Sequence, residues 1–446
     1  MAANRKKFSR QEKWLFASCG LGVLVVAAAI WRQQSNADPV VAFPVEPPPV
    51  PNGYDYFVKA EDAYVPNSVP NKPGRDYGRE YVSTQRYPLA DRKAWLASNA
   101  SSLTLLRQGF SYDSQNLGLW RKGVSEFGAS RTDILVRLLT VESRAYAEQK
   151  DWKRAASSAV DMIQLGLELQ RGGDLRCAGV GNSAIRAGCN ELCSLLPNVE
   201  LQTARILSRR LEELHRRRES YTNMLLQSKW DGQWGLQVLY ESREWRYYLA
   251  ESHIREAELD AASAPSSSIR PGFLERAKAS INLRMSAELL NKRSLMSEYL
   301  RFMDEIIAES RTPYPQRPKK RPTPAYAFHT TATGFDTNRC RLTRYETTMA
   351  LLVARVALTA FQLERGHPPD TMLELVPTLL SNVPVDPFSN NQALRYRRTG
   401  KAFRLWSIGP DGVDDNGTPV FNARNKGAAR YRVVEDSKGD IVSGIN

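Results

Sequence analysis

The run from Trp14 to Trp31 constrains this chain before anything else does, because eighteen consecutive residues there carry no charge. At roughly 1.5 Å of rise per helical residue they reach about 27 Å, close to the hydrocarbon thickness of a bilayer. Arg5, Lys6, Lys7, Arg10 and Lys13 precede the run, whereas Arg32 alone follows it before a polar, proline-rich stretch. That asymmetry predicts a basic cytoplasmic tail over 1–13, a transmembrane helix over 14–32 and an extracytoplasmic body, with Trp14 and Trp31 at the two interfaces. A cleaved signal peptide is the other reading, since Ala27, Ala28 and Ala29 supply small residues near the end of the run. Both readings export the bulk of the chain. Cys19 does not suit a lipoprotein signal, because its apolar residues lie mostly after the cysteine.

Six prolines between Asp38 and Asn52 forbid helix and predict a stiff, extended stalk, part of a stalk and docking segment over 33–88. Tyr54, Tyr56, Phe57 and Tyr64 supply the apolar surface for docking. From 89 to 310 the pattern is helical. Ile134, Leu135, Leu138, Val141 and Ala145 recur at three- and four-residue steps, and Ala155, Ala159, Met162, Ile163 and Gly166 do so after Gln149-Lys150-Asp151. This predicts a helical hairpin, ended by Gly172-Gly173. A third amphipathic segment follows through Ile185, Cys189 and Cys193. Small residues at Ala155, Ala156 and Ala159 permit close approach as in tetratricopeptide-type pairs, but no clean 34-residue period recurs, so the region reads as repeat-like only. A long helix is expected from about Val199 to Gln227. Its Arg209, Arg210, Arg216, Arg217, Arg218 and His215 interleave with Glu212, Glu213 and Glu219, the pattern of a solvated, salt-bridged face.

The 62 basic against 48 acidic residues leave a net charge of +14, which favours anionic partners such as lipid headgroups or an anionic polymer. No nucleic-acid fold signature accompanies the charge, so nucleic acid is not an expected partner. Pro313, Pro315, Pro318, Pro322 and Pro324 alternate with Arg317, Lys319, Lys320 and Arg321, which predicts a basic, solvated linker over 311–343 that buries nothing.

A C-terminal domain is expected over 344–446. Met349, Leu352, Val353, Val356, Ala357 and Ala360 mark one face of a helix from Arg344 to Glu364, stopped by Gly366 and Pro368-Pro369. A short second helix is predicted over Asp370–Leu380, then strands near Leu394–Arg397 and Phe403–Ser407 around a Thr399-Gly400-Lys401 turn. In the stretch Ser407–Gly417, Asp411, Asp414 and Asp415 put three carboxylates within five positions among glycines. A hard cation such as calcium folds loops of this kind, although an Asp/Gly turn without metal has the same composition.

Gly366-His367-Pro368-Pro369 with Met372 and Leu375, Asp386-Pro387-Phe388 with Leu394 and Tyr396, Ser407-Ile408-Gly409-Pro410-Asp411-Gly412, and Asp440-Ile441 occur in one order. In that order they resemble the soluble part of the major pseudopilin of type II secretion systems. The resemblance implies a calcium ion held by Asp411, Asp414 and Asp415, with Asp440 reaching in from the tail. Thr418 to Lys438 inserts some twenty residues between loop and tail. At the other end the pattern departs further, since Lys7 stands where a prepilin cleavage site needs glycine, and Ser9-Arg10-Gln11 interrupts the apolar helix. The whole arrangement also looks like membrane-anchored envelope proteins of planctomycete-type bacteria, which implies a single-pass protein of a bacterial inner membrane and no particular activity. The expected fold is therefore mainly α with a small α+β C-terminal domain: a transmembrane helix, helical hairpins, and a pseudopilin-like helix with an antiparallel β-meander.

Two functions fit. One is a non-enzymatic envelope scaffold, its tail stabilised by calcium and its partners envelope or secretion-type proteins. The other is an exported polysaccharide-active enzyme or glycan-binding protein using the aromatic segment with Trp230, Trp234, Tyr240, Trp245, Tyr247 and Tyr248, and carboxylates such as Glu241 and Glu244. Those rings serve equally as packing between helices. The histidines His215, His253, His329 and His367 lack zinc-ligand spacing, and Cys177, Cys189 and Cys193 fit buried thiols, with a bridge from Cys177 to either of the others as the alternative.

Overall fold

The computed structural model describes residue 43 and residues 47–66, 87–116, 129–246, 291–317 and 329–445. The apolar run 14–32, the start of the stalk, Tyr247, Tyr248, His253 and residues 318–328 lie outside the described residues. The described chain is mainly helical. Its helices are α1 Gly53–Asp62, α2 Leu89–Ser98, α3 Ala100–Gly109, α4 Ala129–Glu148, α5 Trp152–Gln170, α6 Leu175–Leu195, α7 Leu201–Arg216, α8 Tyr221–Glu241, α9 Lys292–Ser310 and α10 His329–Arg365. A small antiparallel sheet follows, in the order β1 Arg395–Thr399, β2 Ala402–Ser407, β3 Ile441–Val442.

Helix starts follow side-chain capping. Asp151 accepts the Arg154 amide at the start of α5, and Asp174, just after Gly172-Gly173, accepts the amides of Arg176 and Cys177 to open α6. Helices α4 and α5 run antiparallel, with the Ser143 hydroxyl donating to the Ala155 carbonyl at 3.0 Å and Thr140 against the Met162 sulfur. Helices α5 and α6 meet at backbone distance. A Cβ on Gly181 would stand 2.3 Å from the Gly166 carbonyl oxygen, and one on Gly188 would stand 2.6 Å from that of Ala159. A buried carboxylate in this layer is paired twice: Asp161 of α5 meets Arg107 of α3 at 2.9 Å and Arg210 of α7 at 2.6 Å.

Contacts divide the chain into two compact units, one with residues 44–232, 303–322 and 331–446, the other with 1–43, 233–302 and 323–330. The expected boundary between a helical domain and a C-terminal domain is thus absent from the first unit. Cys189 of α6 lies 3.7 Å, sulfur to sulfur, from Met349 of α10, Ser208 of α7 donates to the Leu379 carbonyl at 3.0 Å, and Arg205 pairs with Glu364 at 2.8 Å. The stretch Asn338–Arg365 is long and apolar enough to cross a membrane, yet Met349–Ala354 and Val356–Leu358 are buried in this core. In the second unit, Trp245 packs edge-on to Tyr240 at 5.0 Å, and the Lys292 ammonium donates to the Tyr240 carbonyl at 3.0 Å.

Several expected boundaries are corrected. The helix expected over Val199–Gln227 breaks at Arg217–Ser220, where the Ser220 hydroxyl accepts the Asn223 amide and starts α8. Its basic face is not wholly solvated either, because Arg210 reaches the Asp161 carboxylate. Helix α10 begins at His329, fifteen residues before the expected Arg344, so nearly half of the expected linker is helical. The linker also buries a residue: Tyr314 is 4% exposed, edge-on to Phe388 at 4.7 Å and covered by the Arg317 guanidinium at 3.7 Å from its ring centre. The predicted helix over Asp370–Leu380 is a single 3₁₀ turn, Met372–Leu375, closed by a capping box between Thr371 and Glu374. Pro377 has no amide to extend it.

The α5–α6 contact yields a stability test. Gly188→Ala forces two backbones apart and should cost about 1–3 kcal/mol in denaturant unfolding. Gly235→Ala, on α8 with no atom within 4 Å of the added methyl, should instead stabilise by up to about 1 kcal/mol.

Candidate functional site

The C-terminal region is built around two buried carboxylates. Strands β1 and β2 pair from Arg395 opposite Trp406 to Thr399 opposite Ala402, and Gly400, at φ +62°, makes the tight turn between them. The short β3 adds to β2, with Val442 opposite Trp406 and Ile441 opposite Ser407. At the end of β2 sits Asp386. Its carboxylate accepts the Ser407 hydroxyl at 2.6 Å, the Ile408 amide at 2.9 Å and the Phe388 amide at 3.0 Å. The words Asp386-Pro387-Phe388 and Ser407-Ile408, separate in sequence, are therefore one hydrogen-bonded joint. Burial raises the Asp386 carboxyl above the usual range, while the Ser407, Ile408 and Phe388 donors pull it down.

The second carboxylate is Asp440, fully buried. It accepts the Gly417 amide at 2.6 Å and the Asp415 amide at 3.3 Å, so the tail clasps the acidic loop. The twenty-residue insertion does not carry it away, because its two ends pair. The Asp440 amide donates to the Thr418 carbonyl at 2.8 Å, and the Val420 amide to the Asp440 carbonyl at 3.0 Å. Gly409, at φ +70°, lets the loop pass its tail; a Cβ there would stand 2.5 Å from the Gly439 carbonyl oxygen. Burial, and then the charges of Asp414 and Asp415, lift the Asp440 carboxyl to about 6 against the pull of the two amides.

The four expected ligands are thus neighbours with unequal roles. Asp440 faces the loop backbone. Asp411 caps the Val413 amide at 3.2 Å, with its other oxygen 3.4 Å from the Gly439 amide. Asp414 turns to the Trp406 ring nitrogen at 2.9 Å and to Arg395 at 3.2 Å, and these donors hold its carboxyl low despite partial burial. Among the described residues, no three His, Cys, Asp or Glu side chains converge as a ligand set. Carboxylates are the donor type that hard cations take, and Asp440 lies beside the negative charges of Asp414 and Asp415.

The other sequence candidates fall elsewhere. Trp245 is buried beneath Tyr240 and Lys292 and offers no stacking face to a sugar, while Glu241 and Glu244 are exposed. Cys177, Cys189, Cys193 and Cys340 are unpaired; burial raises all four thiols, Cys177 to about 12. His215 lies against the core, its imidazole lowered to about 3 by burial and by Arg218, and so it is neutral. Sequence reasoning gave Asp386 no role beyond its motif; the Asp-Pro pair is the signal, a residue type that caps backbone amides beside one that breaks the chain. No protein family, curated protein or solved structure matches the chain.

Asp440 supplies a pH test. Its native carboxyl titrates near 6 and an unfolded one near 4, so the folded chain holds the extra proton in between. This group's contribution is therefore fully present below about pH 4 and is lost as pH rises through about 6. Asp440→Asn should remove that component of the pH dependence of the unfolding midpoint and, by leaving an amide unpaired, cost about 1–3 kcal/mol at neutral pH.

Proposed function

We propose that this chain is a single-pass, membrane-anchored scaffold whose body lies outside the cytoplasm of a bacterial cell and presents protein-binding surfaces, in an assembly of the secretion or pilus type. The clasp carries the reading. A long helix, a hairpin and an acidic loop occur in the pseudopilin-like order, and Asp440 closes the loop from the tail despite the insertion. Calcium, held by Asp411, Asp415 and Asp440 with Asp414 beside them, would supply charge neutralisation at this closure. Trp245, buried in its own unit, favours packing over the polysaccharide-active alternative.

Topology and metal are tested separately. Alkaline phosphatase fused after Asn446 should be active in a bacterial host and a green fluorescent protein fusion at the same place dark; the opposite pattern overturns the reading. Calcium at millimolar concentration should raise the thermal midpoint of the full chain, more above pH 6 than below it, because the Asp440 proton competes. The full chain is the right sample, since α10 shares its core with α6 and α7. Asp411→Ala should abolish the shift; an equal shift in this variant removes the site.

A further inference from the structure

A groove of about 720 Å³ runs between α7 and the extended segment Ser381–Asp386, with Tyr314 and Val353 at its base. One wall is an unused strand edge. Val385 forms an isolated antiparallel bridge with Ala393, through the Asp386 amide to the Gln392 carbonyl at 2.8 Å and the Leu394 amide to the Pro384 carbonyl at 3.1 Å. In that pattern the amide and carbonyl of Val385 itself point away from Ala393. Neither Val385 nor Val383, two positions earlier, makes a backbone hydrogen bond among the described residues, and both line the groove. Val385 is 48% exposed.

The facing wall sets the charge. Glu212 is occupied by the Ser381 amide at 2.7 Å, Glu213 by Arg216, and Glu346 by Arg218. Asp386 is buried at its joint with β2. Arg209, exposed on α7, pairs with no carboxylate among the described residues. Half-buried His215, held neutral by desolvation and by Arg218, adds no positive charge of its own. The Arg209 guanidinium thus stands ready for a carboxylate across from free strand-pairing groups, while Glu212, whose partner amide is neutral, keeps its own charge.

We infer that this groove binds an extended, acidic polypeptide segment of a partner protein as an added strand beside Val383–Val385, with a carboxylate of that segment on Arg209. Strand addition draws affinity from main-chain bonds and specificity from alternate side chains, which here meet α7 on one face. The inference rests on the scaffold reading and names the kind of partner it presents a surface to.

The test is selection of a displayed random decapeptide library on the full-length protein in detergent micelles, followed by fluorescence anisotropy of the selected peptides. The pool should be rich in Asp, Glu and β-branched residues. Binding should slow hydrogen exchange at Val383 and Val385. Val385→Pro, which removes an amide that the fold does not use, should weaken binding about tenfold with an unchanged thermal midpoint; Arg209→Glu should weaken it similarly and shift selection toward Lys and Arg. If Val385→Pro unfolds the chain, Arg209→Glu and the exchange pattern decide alone. A pool without acidic bias, equal binding by Arg209→Glu, or unaltered exchange overturns the inference. A cytoplasmic chain that still binds acidic strands would sink the envelope reading and leave the groove standing; an exported chain that binds none would do the reverse.

Discussion

Burial of the middle of α10, Met349–Ala360, around nearly its whole circumference is the constraint on which the rest of the larger unit depends. Met349 to Ala354, Val356 to Leu358 and Ala360 are all buried, and a helix apolar on every side must be enclosed by other elements. Helix α6 meets it through Cys189 against Met349, the insertion reaches it through the Val433 carbonyl on Arg344, and the β1–β2 turn reaches it through the Lys401 carbonyl on Gln362. The helical layer and the small sheet are therefore two coverings of one helix. Tyr314, anchored on Phe388 beneath Arg317, ties the incoming chain to the same body.

Around that helix the C-terminal turns are held by carboxylates rather than by long strands. Strand β3 spans only Ile441–Val442, too short to hold a tail by pairing alone. Asp386 and Asp440 supply the remainder by accepting backbone amides in buried surroundings, where such charge-assisted bonds are stronger than neutral ones. Both carboxyls are raised by burial, so the two joints that shape this region also couple it to protons and, at Asp440, to neighbouring negative charge.

Much of the fold was legible where periodicity was strong. The apolar steps of α4 and α5 and the turn at Gln149–Asp151 read directly as paired helices, and the hairpin around Gly400 read from its turn chemistry. Reading failed where one residue outweighed a pattern. Pro377 reduced an expected helix to a 3₁₀ turn, Ser220 opened a new helix inside a continuous one, and Tyr314 found a pocket within a proline-rich stretch that composition marks as solvated. In the candidate site, Asp411, Asp414 and Asp415 were legible as an acidic glycine-rich loop. Their division of labour was not, because Asp414's attachment to Trp406 and Arg395 depends on strand register.

Sequence by itself determined the apolar run with its basic flank, the helical character of the middle of the chain, the places where glycine and proline end elements, and the acidic loop, since each follows from local residue properties. Tertiary structure alone decided that the helical layer and the C-terminal region share a core, that Asp440 meets the loop across an insertion, and that a free strand edge faces Arg209. Those outcomes depend on which buried surfaces find one another, a long-range match that no local pattern encodes.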